Sequence, residues 1–289
     1  MTIYEIITNK FIEQLEKGIV PWQKPWSVGS YNAKEVAISY TTRKPYSLLN
    51  QMLLGWRSGE YLTFKQIQDL KGSVKKGAKS QMVVFYTPIK VTEKDKVTNE
   101  DIEKTIPCLK YYNVFHIDDT NGIQSKNGNS TETEETKVNP IESAENLIQG
   151  YLNREKHLKF VNDKMTDKAY FAPSQDLVQV PTMKQFKVVE EYYSTTFHEL
   201  THSTMTEKRC NRKTNCNFGS ELYSKEELVA EIGSAFLCSL AGIDNTKVFN
   251  NSVAYIQSWL KALKNDTKLV VIASSQAEKA VKYIANLQD

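Results

Sequence analysis

A chain of 289 residues, 40% hydrophobic and 25% charged with a net charge of +3, has an ordinary globular composition; it excludes a wholly disordered or fibrous protein and leaves room for two domains. No apolar run approaches the ~20 residues of a membrane span, and the start, Met1-Thr2-Ile3-Tyr4-Glu5, lacks a secretory pattern, so a cytoplasmic protein is expected. Cys108, Cys210, Cys216 and Cys238 form no CxxC pair, which fits reduced thiols.

The first element is a helix over residues 2–17, where Ile3, Ile6, Ile7, Phe11, Ile12 and Leu15 fall at helical spacing before Gly18. Helical patterns follow at 46–57 and 63–71, and β-rich stretches at 81–91 and 108–117 predict strands. Charge is uneven here: residues 1–91 hold 13 Lys and Arg against 6 Asp and Glu. Lys24, Arg43, Lys44, Arg57, Lys65, Lys75, Lys76 and Lys79, interleaved with Trp22, Trp26 and Tyr46, are the candidate contacts to single-stranded DNA. Cations follow a phosphate backbone and rings stack on bases. The same aromatics also read as core and the lysines as a solvated loop. The segment Pro21-Trp22-Gln23-Lys24-Pro25-Trp26 favours binding, because it fits neither helix nor strand periodicity. No recognition helix or zinc finger for duplex DNA is present.

Residues 124–137 contain no apolar side chain and cannot bury a core, which predicts a flexible linker over 123–140 between a first domain, 1–122, and a second, 141–289. The second opens with a helix at 141–153, then short strands at 169–171 and 177–180 meeting at Pro173-Ser174-Gln175-Asp176. A long helix at 183–207 and further helices at 224–242, 246–264 and 268–287 complete an α-rich part with a small sheet. The fold class is α+β: a mixed α/β first domain and an α-rich second one. The strand at 176–180 is placed to pair with an extended peptide by edge addition, or is merely structural.

His198-Glu199-Leu200-Thr201-His202 puts two imidazoles on one helical face with a carboxylate behind the first. A second helix supplies Glu227 and Glu231, again one turn apart. Zinc with two histidines needs a third protein ligand, expected to be Glu227, with Glu226 as the alternative. Glu231 is expected to accept from one ligand imidazole and fix its tautomer. Such an ion acidifies water; Glu199 then serves as the base, and Tyr223 is a candidate oxyanion donor. One Zn2+ per chain is expected, although manganese, iron or cobalt also accept this donor set. Peptide hydrolysis is the reaction it serves most often.

Gly18-Ile19-Val20-Pro21-Trp22-Gln23-Lys24-Pro25-Trp26 and Leu62-Thr63-Phe64-Lys65-Gln66 resemble the amino-terminal domain of ArdC-type antirestriction proteins. Residues 170–181, Phe197-His198-Glu199-Leu200-Thr201-His202, Phe218-Gly219-Ser220-Glu221, Glu226-Glu227-Leu228-Val229-Ala230-Glu231 and Tyr255-Ile256-Gln257-Ser258-Trp259-Leu260 resemble that family's zincin-like metallopeptidase domain. The resemblance implies a protein of plasmids, conjugative elements or phages that binds single-stranded DNA and shields incoming DNA from host restriction. It implies His198, His202 and Glu227 as metal ligands and Glu199 as base. In the leading reading, single-strand binding brings this peptidase site to a host protein as its substrate. Where the family often has a tryptophan soon after the second histidine, this chain has Ser203-Thr204-Met205. Two other readings use the same residues: a non-catalytic coat on single-stranded DNA with a structural zinc, and a SprT-like repair protease that digests proteins crosslinked to DNA.

Overall fold

The computed structural model describes residues 1–23, 36–94, 101–126, 139–212, 221–244 and 253–288. Lys24, Trp26 and residues 127–138 of the expected linker therefore lie outside the described residues.

Thr2 starts α1 (Ile3–Glu16) with a capping box: its hydroxyl accepts from the Glu5 N–H at 3.2 Å and Glu5 accepts from the Thr2 N–H at 2.7 Å. Ile7, Phe11 and Leu15, four residues apart, form its buried stripe. The first part continues through β1 (Ala37–Ser39), α2 (Leu48–Leu53), β2 (Gly59–Thr63), α3 (Phe64–Asp69), β3 (Ser73–Val74), β4 (Gln81–Lys94), β5 (Asp101–His116) and β6 (Thr120–Asn121). One sheet has the order β1-β2-β5-β4, with β1 parallel to β2 and the other pairs antiparallel, while β3 pairs with β6. The expected helices at 46–57 and 63–71 form but are shorter. β5 starts well before residue 108, because residues 101–107 pair with β4 as a largely exposed ribbon and so show no burial pattern. β1 and β2 were not anticipated. They are three and five residues long, and β2 buries Glu60, a charge that reads as surface in a sequence. Arg43 pairs with that carboxylate, which also accepts from the Lys126 N–H at 3.1 Å. With the Tyr40 hydroxyl donating to the Gln124 carbonyl at 3.1 Å, the start of the expected flexible strip is tied to the sheet.

The second part comprises α4 (Pro140–Arg154), β7 (Lys159–Val161), β8 (Tyr170–Ala172), β9 (Leu177–Gln179), α5 (Val189–Ser203), α6 (Glu221–Leu240), α7 (Val253–Asn265) and α8 (Leu269–Ala285). The helix expected from 183 begins at Val189, after a 3-10 turn at Met183–Gln185. The small sheet has the order β7-β9-β8, with β9 parallel to β7 and antiparallel to β8. That overturns the expectation for 176–180. β9 is the central strand, both its edges are paired, and it has none to offer a peptide. The outer edge of β8 has no strand partner among the described residues.

A single apolar cluster runs through both parts, joining Phe11, Trp22, Met52 and Val84 to Leu200, Phe236, Trp259 and Val270. Trp56 stacks on Phe236 at 6.2 Å between ring centroids, and its Nε1 donates to the Pro21 carbonyl at 2.9 Å. Trp22, 1% exposed, meets Trp259 edge-on at 5.8 Å. Trp22 is thus core and presents no ring to a base, which corrects its assignment as a DNA contact. Among the described residues no helix is long and apolar enough to cross a membrane.

Candidate metal centre

α5 and α6 lie unusually close where they cross. A Cβ at Gly233 would stand 2.6 Å from Thr201 Cγ2, so only glycine fits there, and the Ser234 hydroxyl donates to the Ser194 carbonyl at 2.7 Å. Leu228, Val229, Leu200 and Phe197 seal the contact as fully buried side chains. This approach carries Glu227 of α6 to the histidines of α5. The Nε2 atoms of His198 and His202 are 3.1 Å apart, and the two Glu227 oxygens lie 3.5 Å from one or the other of them. Donors about 2.0–2.1 Å from one tetrahedral ion stand about 3.4 Å from each other. Two imidazole nitrogens and a carboxylate at these separations fit a divalent cation, and His198, His202 and Glu227 would hold it.

Behind His202 stands Glu226, whose Oε1 is 3.3 Å from Nδ1. Nδ1–H pointing at a carboxylate leaves Nε2 as the lone-pair donor, the tautomer that a metal ligand needs. This places the acceptor at Glu226, not at Glu231 as expected. Glu227 and Glu231 share a helical face, whereas Glu226 leaves α6 about 100° round from Glu227 and so reaches the far side of the imidazole. Glu226 is itself held by Arg212, Nε at 2.9 Å and Nη2 at 2.6 Å, and Arg212 also donates to Thr204 Oγ1 at 2.7 Å and the Thr201 carbonyl at 2.9 Å. Arg209, three residues earlier, grips Asp176 at 2.7 and 2.8 Å and Glu155 at 2.9 Å, fixing the same segment to the turn before β9. Glu231 instead accepts from the Tyr255 hydroxyl at 3.0 Å, which lies 3.4 Å from Trp22 Nε1.

Electrostatics follow this geometry. Burial lifts the Glu199 carboxyl above its ordinary range against the pull of His198 and His202, and the Phe171 backbone hydrogen-bonds to it. Burial would also raise Glu227, but hydrogen bonds from His198 and His202 outweigh it and hold that carboxyl well below the usual range. For His202, burial disfavours charge, yet Glu226 and Glu227 prevail and push it up to about 9. Glu231 is raised by burial. The set opens into a cavity of about 420 Å³ that Glu199, Tyr170, Phe171 and Met205 help to line, so β8 forms one wall.

Tyr223 belongs to the first turn of α6, and its side chain lies outside the described residues. The cationic candidates are not gathered at this centre. Arg43 is taken by Glu60, and Arg57 by Asp118 at 3.3 Å and Asp119 at 3.2 Å. Tyr46 is buried against Tyr61, while Lys44, Lys65, Lys75, Lys76 and Lys79 are exposed. Sequence reasoning missed Arg209 and Arg212, which sit in an irregular segment with no periodicity to mark them as buried.

Residues 1–115 match the family described as the N-terminal domain of anti-restriction factor ArdC, and residues 152–276 the zincin-like metallopeptidase family. Two proteins of Escherichia coli described as DNA primase TraC are 30% and 29% identical to the chain over 97% of its length. The chain spans only 20% and 27% of their lengths. The uncharacterized protein y4eC of Sinorhizobium fredii is 27% identical, with 98% of this chain and 91% of that one covered. Among solved structures, the antirestriction protein ArdC from plasmid R388 superimposes over the whole of both chains at 28% identity, with TM-scores of 0.71 for its metal-free form and 0.70 for its Mn(II)-bound form.

Proposed function

Because this chain belongs to the ArdC type, an ArdC amino-terminal domain followed by a zincin-like metallopeptidase domain, we propose that it protects the DNA of a mobile genetic element by binding it as a single strand and hydrolysing a host protein nearby. The division into a DNA-binding domain at 1–122 and a peptidase domain at 141–289 is part of the same proposal, as is a cytoplasmic site of action. The observation that carries the catalytic half is the convergence of His198, His202 and Glu227 beside Glu199 in one open cavity.

A divalent cation there, zinc in this proposal, would supply Lewis acidity that polarises a carbonyl and makes water a better acid. The chain's own groups do the rest. Glu199, raised by burial, is suited to take a proton from water and return it to the leaving amine. Glu226, anchored by Arg212, holds His202 in the tautomer that presents Nε2. The outer edge of β8, without a strand partner among the described residues, borders the cavity, where an extended peptide can add as a further strand with its carbonyl near Glu199.

The test is Glu199→Gln, which keeps shape and removes the base. Metal binding and DNA binding should persist while cleavage of a casein or host-extract substrate disappears. Protection of DNA that survives this change intact would remove proteolysis from the mechanism.

A further inference from the structure

The first part carries a second cavity, about 330 Å³, wrapped around the edge of β4 and closed from behind by α8. Its volume lies within the range of about 300–1,000 Å³ common for small-ligand sites. Asn50 fixes one wall by donating to the Val84 carbonyl and accepting from the Val84 N–H, both at 2.8 Å. Four rings line it: Tyr46, Phe85, Tyr86 and Tyr112. Three of them are exposed to a degree unusual for aromatics, Phe85 at 42%, Tyr86 at 48% and Tyr112 at 36%. Phe85 and Tyr112 stand as a diagonal pair with centroids 5.5 Å apart.

Polar groups border the rings. Glu278 of α8 lies at the cavity, accepting from the Leu48 N–H at 3.0 Å and paired with Lys282 at 3.6 Å. Lys44 directly precedes the lining residue Pro45, and Lys110 is directly across the ladder from Phe85. Both lysines are exposed, and neither forms an ion pair with a described residue. A carboxylate oxygen beside the rings accepts a hydrogen bond from an amino group, and rings with flanking cations suit a base whose phosphates stay outside.

The geometry points to this cavity as a nucleobase subsite of the single-strand interface, with Phe85 and Tyr112 stacking on a base, Glu278 accepting from its exocyclic amino group, and Lys44 and Lys110 meeting the adjoining phosphates. It rests on the proposal that the chain binds single-stranded DNA, and it moves the stacking role from Trp22 to the ribbon of β4 and β5. An amino-bearing base is then preferred to thymine.

Anisotropy of labelled oligo(dC) and oligo(dT) with the full chain tests it. Phe85→Ala and Tyr112→Ala should each weaken oligo(dC) about ten-fold, and Phe85→Ala should leave thermal melting and metal affinity unchanged because that ring is 42% exposed. Lys110→Ala should reduce the salt dependence by about one phosphate contact. Glu278→Gln should erase the preference of oligo(dC) over oligo(dT). Parent-like affinity in the Phe85→Ala, Tyr112→Ala double variant overturns the subsite while leaving DNA binding intact. No binding of either oligonucleotide by the parent overturns the DNA-binding proposal itself, and the subsite with it. Equal effects of the ring variants on duplex DNA would also sink it, since a paired base cannot enter the cavity.

Discussion

Replacing Arg212 tests how far the metal centre depends on groups that never touch the ion. Its side chain is 4% exposed and that of its partner Glu226 is 5% exposed, so Arg212→Ala strands a carboxylate away from water and removes the guanidinium donor to Thr204 Oγ1. Breaking a buried pair from one side costs about 3–5 kcal/mol, which for a chain of this size lowers Tm by on the order of 10 °C. The paired replacement Arg212→Met with Glu226→Met removes both charges and should restore most of that stability, because neither is then left uncompensated. Metal affinity should not recover with it. Without Glu226 the His202 imidazole loses the acceptor that sets its tautomer, a loss typically worth about 10–100-fold. Urea denaturation of the metal-free chain gives the first quantity, and competition against a fluorescent chelator gives the second. A double variant that binds Zn2+ or Mn2+ as tightly as the parent would falsify the positioning role of Glu226. An Arg212→Ala chain within about 1 kcal/mol of the parent would show the pair to be no more than a surface contact.

Three further outcomes follow from the same geometry. His202 is pushed up to about 9, and a metal ligand must be neutral, so an ion competes with one proton; apparent affinity should rise about ten-fold per pH unit from pH 6.5 toward 9 and level off above, in titrations at fixed ionic strength. Gly233→Ala drives a methyl into Thr201 and should cost about 1–3 kcal/mol together with metal affinity, and Thr201→Ala in the same chain should recover part of both. Trp22→Ala should destabilise the fold by about 3–5 kcal/mol; a variant with parent-like stability and weakened DNA binding would restore Trp22 as a base contact.

The metal centre was legible because its parts obey simple periodicities: i and i+4 on a helix put both histidines on one face, and the acidic start of α6 announced a second ligand-bearing helix. What periodicity cannot give is which neighbouring carboxylate turns which way. Glu226 therefore fills the acceptor role expected of Glu231, and Glu231 accepts from Tyr255 instead, a matter settled by the positions of Arg212 and Tyr255. The short strands β1, β2 and β7 are invisible in the sequence because three to five residues carry little pattern, and β9 reads as an edge because strand order is set by long-range pairing. Trp22 misled for a related reason. Its segment has no regular spacing, yet irregular backbone can still deliver a large ring to an interior assembled from α7 and α1.

The continuous apolar cluster has an implication for how this molecule can be dissected or inherited. Splitting the gene between residues 126 and 139 would leave one fragment with Trp56 and Trp22 bared and the other with Phe236 and Trp259 bared, each a sticky surface in search of its mate. Neither half is then a portable cassette. Heating should melt the portions before and after residues 127–138 in one cooperative step, and lesions deep in either should silence both.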